Sequence, residues 1–98
     1  MLRIVYQILW IQITLLSMSI KMKVGRRIKQ LRHERNLSQV QLSYASNLDR
    51  SYIADVESGN RNISIVNIEK IASAMDVSMR EFYNTDYFDD HSASNEEL

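Results

Sequence analysis

The sequence predicts an all-α domain built from five short helices. Three observations carry that expectation. The 98 residues contain no proline and only two glycines, which suits helices joined by short loops better than hairpins and bulges. Between residues 23 and 82 the apolar residues recur at helical spacing rather than alternating. Serines and an aspartate interrupt that pattern where helices need a cap.

The first helix is expected near residues 23–35, with Val24, Ile28 and Leu31 on one face. The second opens at Ser38, and Gln41 three residues on completes a capping box. Leu42 and Ala45 form its inward side. Asp49 is the expected cap of the third helix, with Ile53 and Val56 inward and Gly59 as its stop. Ser64 caps the fourth, which turns Ile65, Ile68, Ile71, Ala72 and Met75 inward. Ser78 and Glu81 suggest another capping box on a short fifth helix carrying Phe82. Helices this short, with short loops, pack as one domain over residues 22–84.

Two flanks differ in composition. Residues 1–21 form an apolar extension, interrupted by Gln7, Gln12, Thr14, Ser17 and Ser19. It is close to the roughly 20 residues that a membrane span requires. Lys21, Lys23, Arg26 and Arg27 follow it and would keep the remainder on the cytoplasmic side of any such span. Met18 and Met22 are candidate later starts of the working chain, and an added self-association element is a further reading. No small-residue cleavage site of the kind a signal peptide needs is evident. Residues 85–98 are acidic, small and polar, and are expected to be disordered. Phe82, Tyr83, Tyr87 and Phe88 are four of the eight aromatics, so this end either packs locally or exposes a patch for self-association.

The net charge of zero conceals an asymmetry. Residues 21–83 hold eleven Lys and Arg against seven Asp and Glu, whereas residues 84–98 hold five acids and no Lys or Arg. A basic helical body permits a polyanionic partner. The absence of cysteine excludes a disulfide framework and a thiolate metal site. His33 and His91 lie far apart without ligand neighbours, so neither a metal nor another cofactor is expected. No Gly-rich phosphate loop and no nucleophile with a partner histidine is apparent, and an enzyme is not expected.

The second and third helices are separated by only Ser46-Asn47-Leu48, which is helix-turn-helix spacing. With Ile53 and Val56 inward, Arg50, Ser51 and Asp55 are left facing outward near the start of the third helix. In a helix-turn-helix protein that helix lies in the major groove and its first residues meet base edges. An arginine fork matches guanine O6 and N7, and a serine hydroxyl can bond to a base or a phosphate.

The run from Leu37 to Val77, with Leu37-Ser38-Gln39, Leu42, Ala45, Ile53, Val56 and Glu57, resembles the phage-repressor and Cro type of domain, a lambda-repressor-like fold. Its segment NLDRSYIADVESGNRN is especially similar to the controller proteins of restriction–modification systems. The resemblance covers about residues 22–84 and leaves the first 20 without a counterpart. It implies that Gln39 bonds a phosphate and that Arg50 and Ser51 read bases, with Tyr52 at the backbone or groove edge. It further implies that Asn60, Arg61 and Asn62 form a loop that touches phosphates and a neighbouring subunit. Dimers of this type form through the fourth and fifth helices, which would employ Met79, Phe82 and Tyr83. The expected partners are a two-fold symmetric double-stranded DNA operator, a second copy, and RNA polymerase blocked or recruited at a promoter. A membrane is not an expected partner of such a regulator, whose place is the cytoplasm.

Asp55 and Ile63 depart from the pattern, the latter where many relatives carry proline. Asp55 either accepts from a cytosine amino group or orients Arg50 or Arg61 by pairing, and pairing is the favoured reading. Glu57 is expected to pair with Arg32 or Arg27 rather than face phosphate. Lys23, Arg26, Arg27 and Lys29 read as the wet face of the first helix. A prophage repressor and the antitoxin of a toxin–antitoxin pair are alternatives within the class. A membrane-tethered protein-interaction module is the alternative outside it.

Overall fold

The computed structural model describes residues 2–89, apart from the side chains of residues 14–17. Six α-helices follow one another: α1 (Leu2–Ser17), α2 (Ile20–Glu34), α3 (Gln39–Ser46), α4 (Arg50–Glu57), α5 (Ile65–Ala74) and α6 (Met79–Tyr83). A 3-10 turn at Asp86–Phe88 ends the described chain. No strand occurs among the described residues. The five helices expected from the sequence are α2 to α6, and α1 adds to them.

The caps follow the sequence closely. Ser19, Ser38, Ser64 and Ser78 each accept from the backbone N–H three residues on. At α3 the box is reciprocal, because Gln41 Oε1 accepts from Ser38 N at 2.8 Å. At α6 the expected box is only half formed, and the Glu81 carboxylate lies 3.8 Å from Arg35 Nη2 instead. Asp49 occupies the α4 N-cap but makes no side-chain cap bond. α4 closes with Gly59 at φ 81°. Gly59 N donates to Val56 O and Asn60 N to Asp55 O, the paired bonds of a Schellman stop.

Ile28, Leu31, Leu42, Ile53, Val56, Ile71 and Phe82 are the largest fully buried side chains. Two expected core residues are not in the core. Ala45 is exposed, because α3 buries Leu42 and Ser46 one turn apart. The Ser46 hydroxyl donates to Leu42 O at 2.7 Å, so its polarity is satisfied inside. Ile65 is 78% exposed. It is the first residue of α5, and helical side chains lean toward the N-terminus, past the end of the core.

α2 and α4 meet closely at Gly25. A Cβ there would lie against Val56 O and 2.9 Å from Glu57 O, so only glycine lets the backbones approach. Arg27, expected on the wet face, is buried. Its Nε and Nη2 donate to Phe82 O and Glu81 O, both at 2.7 Å, and satisfy the carboxyl end of α6.

The first residues of the acidic segment pack on the domain. Phe88 stacks on Phe82 with ring centroids 6.2 Å apart and meets Tyr83 edge to face at 4.9 Å. Residues 85–89 therefore pack against the domain, and the remainder of the acidic segment, with His91, lies outside the described residues. None of residues 2–13 belongs to the core cluster. No helix among the described residues is long and apolar enough to cross a membrane.

Candidate nucleic-acid interface

α3 and α4 are joined by Asn47-Leu48-Asp49, with Asn47 left-handed at φ 59°. Asparagine tolerates that conformation, and it turns the chain tightly enough to begin a second helix at once. Ile53 and Val56 then fix α4 on the core, which settles what its other face presents.

Arg50 and Ser51 fill the first turn of α4, and both are exposed. Tyr52 follows, half-buried against the core. Its hydroxyl accepts from Asn67 Nδ2 at 3.0 Å, which ties α4 to α5. The Arg61 guanidinium lies over the Tyr52 ring, 4.8 Å from the centroid. A cation on an aromatic face is attracted by the ring quadrupole, so the loop arginine is held beside the start of α4. Neither Arg50 nor Arg61 makes an ion pair among the described residues.

Asp55 is exposed and makes no ion pair among the described residues. The favoured expectation, that it orients Arg50 or Arg61, is therefore not met: Arg61 rests on Tyr52. Asn60 donates from Nδ2 to Ser58 Oγ at 3.1 Å, and Asn62 is exposed beside Arg61.

Gln39 stands at the first position of α3. Its Nε2 donates to Glu57 Oε1 at 3.1 Å. Glu57 is buried and takes a bidentate grip from Arg32, with Nε–Oε2 at 2.7 Å and Nη2–Oε1 at 2.9 Å. Arg32 Nη1 also donates to Leu37 O at 2.7 Å. Of the two partners expected for Glu57, Arg32 is the one used. The network locks α2, the α2–α3 turn, the head of α3 and the foot of α4 into one unit.

The residues expected at a dimer surface divide. Phe82 is fully buried in the single chain and cannot supply contact area to a second copy. Met79 is half-buried against the core. Tyr83 is 39% exposed, and burial pushes its phenol pKa up. The sequence reading missed Ile65 and Val66, which are 78% and 58% exposed and give α5 an apolar outer surface. It also missed Asn67, whose role depends on a contact between two helices that no local pattern signals. No group of acidic, histidine or cysteine side chains suited to a metal is found among the described residues.

Residues 28–82 match the helix-turn-helix family. The control protein C.MunI of Mycoplasma sp is 38% identical over 66 residues, which is 66% of this chain and 89% of that protein. The crystal structure of the restriction–modification controller protein C.AhdI from Aeromonas hydrophila superposes with a TM-score of 0.61 at 48% identity. That match covers 63% of this chain and 94% of that one. The controller protein C.Esp1396I, solved as a tetramer in complex with its natural 35 base-pair operator, gives 0.64 at 39% identity. It covers 67% of this chain and 88% of its own. The chain belongs to the Cro/C1-type helix-turn-helix family of DNA-binding transcriptional regulators, with restriction–modification controller proteins among its close homologues.

Proposed function

We propose that this chain is a restriction–modification controller that binds, as a dimer, a two-fold symmetric operator at its own promoter. The observation that carries the reading is the exposed first turn of α4, where Arg50 and Ser51 stand free beside the Arg61–Tyr52 pair. Arg50 reads guanine through its fork, and Ser51 bonds a neighbouring base or phosphate. Arg61, Asn60 and Asn62 meet the sugar–phosphate backbone and set the register, as does Gln39 from the positive end of α3. Asp55 accepts from a cytosine amino group, the role left to it once pairing is set aside. Ile65, Val66, Met79 and Tyr83 supply the surface for the second copy, which spaces the two α4 helices about 34 Å apart on adjacent turns of the duplex. The reading places the protein in the cytoplasm with DNA, without catalysis, and with RNA polymerase as the machinery it blocks or recruits.

Arg50→Ala tests the assignment. Binding to the operator should weaken by about 1–3 kcal/mol, while binding to unrelated duplex changes little. Equal losses on both DNAs would show that Arg50 touches only the backbone.

A further inference from the structure

α1 is a helix whose described side chains from Leu2 to Ile13 are all exposed. Leu2, Ile4, Val5, Ile8, Leu9, Ile11 and Ile13 are between 47% and 73% exposed. None of them belongs to the core cluster of the domain. An apolar helix in this state is normally covered, either by protein or by lipid. It also lies outside the residues that match the helix-turn-helix family, so the DNA-reading fold does not account for it.

Its faces are unequal. Arg3, Gln7 and Trp10 recur at helical spacing, and they line one open groove with Tyr6 and Ile11. Leu2, Val5 and Leu9 form one adjoining apolar row, and Ile4, Ile8 and Ile11 form another. Arg3 and Gln7, flanked by Tyr6 and Trp10, mark one side. The two apolar rows, with Gln12 as the one polar residue between them, make up the other. This is the pattern of a helix lying in the plane of a membrane interface. There the aromatic rings sit at headgroup level. The 16 residues of α1 span about 24 Å, short of the roughly 30 Å hydrocarbon thickness, so lying in the plane suits it and crossing does not.

Charge separates lipid from a second copy as the occupant. The first acidic residue in the chain is Glu34. Before it come Arg3, Lys21, Lys23, Arg26, Arg27, Lys29 and Arg32. Arg27 and Arg32 are buried, whereas Arg3, Lys21, Arg26 and Lys29 are exposed. The helix therefore has a cation in its first turn and cations immediately after its end. Two copies of α1 would bring cations together in either orientation, with no carboxylate in either segment to offset them. An anionic bilayer meets the same charges with complementary ones.

We propose that α1 docks this DNA-binding protein onto anionic lipid bilayers as an in-plane helix. The apolar rows enter the interface, and Arg3, Lys21 and Arg26 face the headgroups.

The test is co-sedimentation of the full chain with vesicles of phosphatidylcholine alone and of phosphatidylcholine mixed with phosphatidylglycerol. The chain should pellet with the mixed vesicles, less so as salt rises, and poorly with the neutral ones. Leu9→Glu places a charge in the apolar arc and should reduce partitioning roughly tenfold or more. Operator binding by that variant should be unchanged, because Leu9 is exposed and no part of the core, and this shows that the domain remains folded. Equal partitioning of Leu9→Glu and the unaltered chain would overturn the proposal, as would equal binding to both vesicle types. Higher oligomers that Leu9→Glu disperses, in a chain that ignores both vesicle types, would assign the helix to copies of itself and also overturn it.

Discussion

Arg50 and Arg61 are the same side chain in two settings, and the settings decide what each can do. Arg50 is on a helix, in the first turn, with its fork free to meet a base pair edge-on. Arg61 is on a loop and lies over the Tyr52 ring, which limits its reach and aims it at what passes alongside α4. The proposed division is that Arg50 specifies and Arg61 positions. Arg61→Ala should therefore weaken binding to operator and unrelated DNA about equally and reduce the slope of log K against log salt by about 1. A loss confined to the operator, in titrations at several salt concentrations, would mean that Arg61 reads a base. The exposure of Arg50 was legible in the sequence because Ile53 and Val56 fix the inward side of its helix. The seat of Arg61 was not, since it depends on how a loop folds back over a side chain nine positions earlier. Asp55 shows the same limit: opposite charges close in sequence made pairing attractive, and the ring offered the guanidinium another place.

At the level of elements, helix beginnings were more legible than helix ends. A serine cap acts on a backbone N–H three residues on, so Ser38, Ser64 and Ser78 announce themselves locally. The ends use left-handed residues, and with two glycines in the chain most of that work falls to others. Asn36, Asn47 and Asp76 have φ between 55° and 59°, beside Gly59 at 81°. Asn and Asp are equally common in loops and caps, so only Gly59 was recognisable as a stop. The buried Arg32–Glu57 pair joins these elements across 25 positions of sequence. Removing one partner of such a pair leaves an uncompensated buried charge. Glu57→Ala should cost about 3–5 kcal/mol of stability, read from urea unfolding. It would also release Gln39, which loses its acceptor at the head of α3. A stability change below 1 kcal/mol would show that water or Leu37 O satisfies Arg32 well enough alone.

For the whole molecule, the division between α1 and the domain is the main feature that composition suggested and the fold sharpened. The domain begins at Met18 and Ser19: Met18 is buried, and Ser19 Oγ accepts from Met22 N at 3.2 Å to cap α2. A chain starting at Met18 should match the stability of the full chain. One starting at Met22 should lose about 1 kcal/mol with the cap, seen as a lower urea midpoint. Identical midpoints would show that the first turn of α2 is frayed in solution. The apolar extension was visible as composition, but the exposure of residues 2–13 was not, because an apolar run reads alike whether the fold covers it or leaves it out. The central claim, sequence-specific binding at the protein's own promoter, is tested most directly by titrating the chain onto the DNA upstream of its gene. Unrelated duplex competes, at two salt concentrations. The account predicts tight, stepwise, competitor-resistant binding that weakens steeply with salt. Weak binding, equal on both DNAs, would contradict it.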